Sequence, residues 1–121
     1  MKFGVFYFPT DYGIQVPELA VELENRNIES LFVCEHTHIP TTRKSPFPGG
    51  GELPKKYIHT HDPFIALSFA AALTKKLRLG TGICLVPQHD PIVLVECHCA
   101  QSFTGQGCTS DSDAIATFAE G

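Results

Sequence analysis

Three short apolar runs, residues 2–8, 28–34 and 77–86, alternate with three segments that open on a proline, Pro17, Pro63 and Pro91. That alternation restricts the fold more than anything else in the chain. The runs are rich in Val, Ile, Leu and Phe, as strands covered on both faces must be. Proline has no N–H and a φ already near the helical value, so it suits the first turn of a helix. Asp62-Pro63 and His89-Asp90-Pro91 add an N-cap aspartate to that signal. Val16, Leu19, Ala20 and Leu23 recur at i, i+3, i+4 and i+7, one apolar stripe with Glu18, Glu22 and Glu24 outside it. Asn27 tolerates the left-handed conformation that ends a helix. Residues 64–73 read as a second, strongly apolar helix, followed by Thr74, Lys75 and Lys76, with cations at the negative end of the dipole. Residues 92–96 begin a third. Strand and helix in strict alternation mean an α/β fold, a parallel sheet built from right-handed βαβ units.

A chain of 121 residues makes one modest domain. Its hydrophobic content of 43% suits a globular protein and argues against a disordered one. A formal net charge of -4 provides no basic footprint, so nucleic acid is not an expected partner. The first apolar run is broken by Pro9, too early for a signal peptide, and no run approaches a membrane span. The expected location is the cytoplasm, with no membrane partner. Five cysteines, an odd count without an export signal, argue against a disulfide framework. Cys34 and Cys84 lie in apolar runs, where cysteine behaves as a small hydrophobe.

Parallel sheets bind ligands beyond the C-terminal ends of their strands. The second run ends there in Glu35-His36-Thr37-His38, within "SLFVCEHTHIP". His36 reads either as a strand-end histidine bonded to backbone or as a group that moves a proton near neutral pH. Glu35 either orients His36 or forms a surface ion pair. His36 and His38 also match the His-x-His that opens some metal-dependent hydrolase sites, since imidazole and carboxylate suit zinc. That reading needs distant ligands, and His59 and His61 are the candidates. Cys97-His98-Cys99 with Cys108 fits no standard zinc spacing, and no metal ligand is assigned. Residues 37–61, rich in Pro, Gly and Lys, make a long loop, functional or disordered. Gly49-Gly50-Gly51 lacks the Lys-Ser/Thr of a phosphate loop and reads as a lid or as disorder. Arg43, Lys44, Lys55 and Lys56 read as solvated loop charges.

The stretches "MKFGVFYFPTD", "SLFVCEHTHIP" and "DPFIALSFAAALTKKLRLGTGICLVPQHDPIVLVE" together resemble the N-terminal part of the bacterial luciferase-like flavin monooxygenases. The nearest branch looks like the deazaflavin-dependent (coenzyme F-420) oxidoreductases. The resemblance covers residues 1–96 and implies an incomplete TIM (β/α)8 barrel, its first three βα units. It implies FMN or the deazaflavin as cofactor, a small-molecule substrate, and hydride transfer or oxygen activation at the cofactor ring. Family members are often homo-oligomeric. Glu35-His36 matches the acidic-His pair after the second strand, with His36 beside the ring. Thr81, Gly82 and Ile83 match the bulge after the third strand, often with a non-proline cis peptide, that supports the ring from behind. Phe8 would form part of the pocket wall.

Residues 97–121 depart from that family. They contain no Lys or Arg, three cysteines and no period. Re-read one base later, the text from Cys97 can restore the family pattern, so the expectation is an out-of-frame tail. The first three units hold too little of a barrel to carry the whole site, so the chain alone is expected to be inactive. Two other readings stay open at this point, a metal-dependent hydrolase fragment using His36 and His38, and a non-catalytic remnant.

Overall fold

The structure is a computed structural model, and it describes residues 1–42 and 44–94. Arg43, the end of the third helix and the tail from Cys97 lie outside the described residues.

Strand β1 (Gly4–Tyr7) leads through a loop to helix α1 (Val16–Asn25), then strand β2 (Ser30–Val33). After the long loop come helix α2 (Pro63–Leu73) and strand β3 (Arg78–Thr81). Single 3-10 turns occur at Lys55–Tyr57 and Val86–Gln88, and residues 91–94 are helical. The strands pair in parallel in the order β1-β2-β3, as the alternating sequence predicts. Val5, Leu31 and Leu79 lie level across the sheet, and so do Phe6, Phe32 and Gly80.

The two proline signals within the described elements act as expected. Pro17 falls in the first turn of α1, and Asp62 caps α2 by accepting a 2.9 Å hydrogen bond from the Ile65 N–H. Asp90 likewise accepts from the N–H groups of Ile92 and Val93, at 2.9 and 3.2 Å. Asn27 has φ 57°, the left-handed turn after α1. The helical stripe buries Val16, Ala20 and Leu23 against Leu31, Val33, Ala66, Leu67, Ala70 and Leu77. Leu31, Leu67 and Leu77 are at most 1% exposed, so this one-sided core excludes water fully.

The structure departs from the sequence reading in two ways. The strands are shorter than the apolar runs, and they are covered on one face. Val5, Tyr7 and Leu79 pack toward the helices, while Phe6 and Phe32 on the other face are 57% and 39% exposed. Apolar composition alone does not distinguish a strand buried on two faces from one with exposed aromatic rings. Glycine matters on that second face. A Cβ at Gly80 would lie 2.9 Å from the Phe32 ring, and one at Gly82 would run into the Phe6 ring. The missing side chains let the Phe32 ring lie over β3 and the Phe6 ring reach across the sheet to the residue that follows β3.

Beyond Thr81, the Gly82 N–H still reaches the Val33 carbonyl at 2.8 Å, and then the chain leaves the sheet. The peptide bonds of this segment are trans, in contrast to the cis bond the resemblance suggests. The long loop is as irregular as its composition predicts, with Gly50 and Gly51 at φ 77° and 74° in a tight turn. Its last residues are fastened to the end of β1. The His61 N–H donates to the Pro9 carbonyl at 3.0 Å, and Thr60 bridges Thr10.

Candidate functional site

The residues that follow β2 alternate in direction, as an extended chain must. Glu35 continues the phase of Leu31 and Val33 and is 0% exposed. One carboxylate oxygen accepts from the Leu85 N–H at 2.6 Å, and the other is paired with His89 Nε2. Two residues on, the Thr37 hydroxyl bonds Gln88 Oε1 and lies 2.7 Å from His38 Nδ1. Glu35 and Thr37 therefore hold the segment 85–89 from one side of the chain.

His36, between them, joins a cluster of rings. It stacks on Phe8 with centroids 5.5 Å apart and planes 10° from parallel. Tyr57 presents its edge to both, 4.7 Å from His36 and 5.1 Å from Phe8. Phe47 packs against Tyr57 at 5.7 Å, and the Lys56 ammonium lies 4.7 Å from the Phe8 centroid. The long loop is thus brought over the strand ends by its 3-10 turn. Burial pushes the His36 pKa below 6.5; the charge of Glu35 opposes this and that of Lys56 reinforces it. The imidazole is accordingly neutral at neutral pH, with one N–H donor and one acceptor.

Of the sequence-predicted residues, Phe8 and His36 come together. Glu35 sits behind them, its carboxylate used by Leu85 and His89. Thr81, Gly82 and Ile83 stand at the end of the neighbouring strand, with Thr81 level with Val33 and Ile83 44% exposed. Tyr57 gave no signal in the sequence, because it lies in a segment without period and its place depends on how the loop folds back. His89 was read only as the residue before a cap. Cys84 was read as a plain hydrophobe, yet it hydrogen bonds Glu35, and burial and that carboxylate both raise its thiol pKa. Cys34, 1% exposed, fits the inert reading, with its pKa pushed up to about 11 by burial.

Among the described residues, the histidines do not assemble as a hydrolase metal site would require. His38 bonds Thr37, while His59 pairs with Asp11 at 3.1 Å. Among the described residues, the group of three metal-type donors is instead Glu35, Cys84 and His89. A separate open hollow of about 640 Å³ lies within the long loop, lined by Ile39, Pro40, Leu53 and Ile58 among others. It shares no residue with the ring cluster. Among the described residues, no helix is long and apolar enough to cross a membrane.

The family model for luciferase-like monooxygenases matches residues 1–97. Relatives in Mycobacterium bovis and in two strains of Mycobacterium tuberculosis, all described as uncharacterized proteins, are 37% identical over 99 residues. Those matches take in 79% of this chain and 35% of each relative, so the chain spans about a third of their length. No solved structure matches it.

Proposed function

Because this chain belongs to the luciferase-like monooxygenase family, we propose that its sheet is part of a TIM-barrel oxidoreductase that uses FMN or a deazaflavin, with His36 beside the cofactor ring. The observation that carries this reading is the half-buried, neutral His36, stacked on Phe8 and edged by Tyr57 at the C-terminal end of β2. Flat aromatic walls with one polar ring suit a planar heteroaromatic ligand. Bound there, the cofactor supplies two-electron hydride chemistry or oxygen activation.

Each residue then has a task. Neutral His36 donates to, or accepts from, a polar edge of the ring and holds a proton for transfer. Phe8 and Tyr57 exclude water from that contact. Thr81, Gly82 and Ile83 support the ring from the neighbouring strand. Glu35 is a positioning residue, since together with Thr37 it anchors the chain on the two sides of His36 to segment 85–89. Lys56 puts a positive charge beside the wall, suited to an anionic cofactor. In barrels of this type the phosphate grip is built after strands 7 and 8. The described residues hold three strands, so they fit the ring and not the phosphate tail. The substrate is a small molecule, and the family match ending at residue 97 supports reading residues 97–121 as out-of-frame text.

The test is a titration of the 121-residue chain with FMN and, separately, with a deazaflavin, followed by NMR of the histidine and tyrosine rings. Ring binding shifts the His36 and Tyr57 signals at millimolar ligand and leaves His59 alone, and His36→Ala abolishes the response at Tyr57. Unchanged His36 and Tyr57 signals at saturating ligand would overturn the reading. Tight, micromolar binding would overturn the division between ring and phosphate sites.

A further inference from the structure

We propose that Glu35, Cys84 and His89 bind a divalent cation of the borderline class, zinc above all. The inference is independent of the oxidoreductase reading. The three side chains come from the end of β2, the segment after β3 and the approach to the Asp90 cap. Their donor atoms lie within 4.8 Å of one another. One carboxylate oxygen, one sulfur and one imidazole nitrogen form a donor set that suits zinc and not magnesium or calcium.

Burial supports the assignment. Glu35 is 0% exposed, and a carboxylate so far from water persists only when paired or bound to a metal. In the metal-free chain, hydrogen bonds with two neighbours provide the pairing, since the Cys84 thiol and the His89 ring both bond this carboxylate. A cation replaces these contacts. The thiol proton of Cys84 passes to solvent, and the His89 proton that faces Glu35 moves from Nε2 to Nδ1, which frees the Nε2 lone pair for the metal. Glu35 and His89 then move apart, so that each can reach a metal at roughly 2.0–2.2 Å. The Leu85 N–H stays on the second oxygen of Glu35 and orients it, as an outer hydrogen bond does in metal sites. Cys84 and His89 are half-buried, so the ion can enter and a fourth position remains for water. Bound there, the ion ties the end of β2 to the segment after β3, one residue from His36.

Cobalt(II) is the probe, because a thiolate ligand gives it a near-ultraviolet charge-transfer band. The reduced 121-residue chain is compared with a triple variant, Cys97→Ser with Cys99→Ser and Cys108→Ser, and with Cys84→Ser and His89→Ala each made in that triple variant. The triple variant removes the competing thiols of the tail. The wild-type chain and the triple variant are expected to show the band at one cobalt per chain, with zinc displacing it. Cys84→Ser should lose the band, and His89→Ala should weaken binding by about 100-fold, at or above the ~10–100-fold cost of losing an outer partner. No band in the wild type, a band that survives Cys84→Ser, or one lost in the triple variant would each overturn the proposal. Zinc X-ray absorption on the triple variant keeps the test sharp should Cys84→Ser not fold. It should show one sulfur among nitrogen and oxygen neighbours, and no sulfur would overturn the assignment.

Discussion

His36 shows how much a single position owes to its two neighbours. Glu35 and Thr37 are spent on anchoring segment 85–89, and that leaves His36 turned toward Phe8 and Tyr57. Burial, aided by Lys56, holds its pKa below 6.5. The folded protein therefore resists protonating a group that the unfolded chain protonates readily. His36 contributes fully to stability above pH 6.5, and that contribution is lost as pH falls through the lowered folded value. An NMR titration should place His36 below 6.5, and Lys56→Gln should move it upward. A His36 that titrates above 6.5 would contradict the burial seen here. The position of this histidine was legible in the sequence, because a polar cluster after an apolar run marks the end of a parallel strand. Its partners were not. Tyr57 arrives through a loop without period, and the pairing of Glu35 with His89 joins residues far apart in the chain, a relation that no local pattern encodes.

At the level of elements, the sequence signals that held best were those with a local cause. Pro17, Asp62-Pro63 and Asn27 each mark a helix end through their own backbone chemistry, and each stands where expected. Asp62→Ala removes the bond to the Ile65 N–H and should cost about 1 kcal/mol of unfolding free energy in a denaturant titration. Strand lengths and covered faces were misjudged, because they depend on what packs against a strand. Glu24 was also out of reach of pattern reading. It sits outside the apolar stripe of α1, yet its carboxylate accepts from the N–H groups of Lys75, Lys76 and Leu77 at 2.9, 2.6 and 2.9 Å. Those bonds, led by the one from Lys76, hold its pKa below 4.5. A depressed carboxylate pKa adds stability above the unfolded value, and it is lost as pH falls through the folded value. Glu24→Gln should therefore lower the melting temperature at pH 7 and have much less effect in acid, below the folded pKa. An equal effect at both would show that the charge is not what matters.

For the molecule as a whole, the core lies on one side of the sheet. Phe6 and Phe32 are open on the other side, and Ile65, Phe69 and Leu73 form a stripe along α2 that is 60–62% exposed. Neither β1 nor β3 has a second strand partner among the described residues. Exposed apolar faces beside unpaired strand edges favour association. Sedimentation velocity on the purified chain should show concentration-dependent self-association, and Ile65→Glu with Phe69→Glu should reduce it. A strict monomer at high concentration would count against this. The parallel order β1-β2-β3 also sets a sequence in time. Ser30 is level with both Gly4 and Arg78, but the chain between Ser30 and Arg78 is almost twice as long as that between Gly4 and Ser30. Closing a loop twice as long costs about 0.6 kcal/mol more in entropy. Pairing of β1 with β2 should come first, and pulsed hydrogen exchange should find their amides protected before those of β3. Until β3 docks, the acceptor that Glu24 offers has no N–H to receive, so the carboxylate doubles as a latch that closes last.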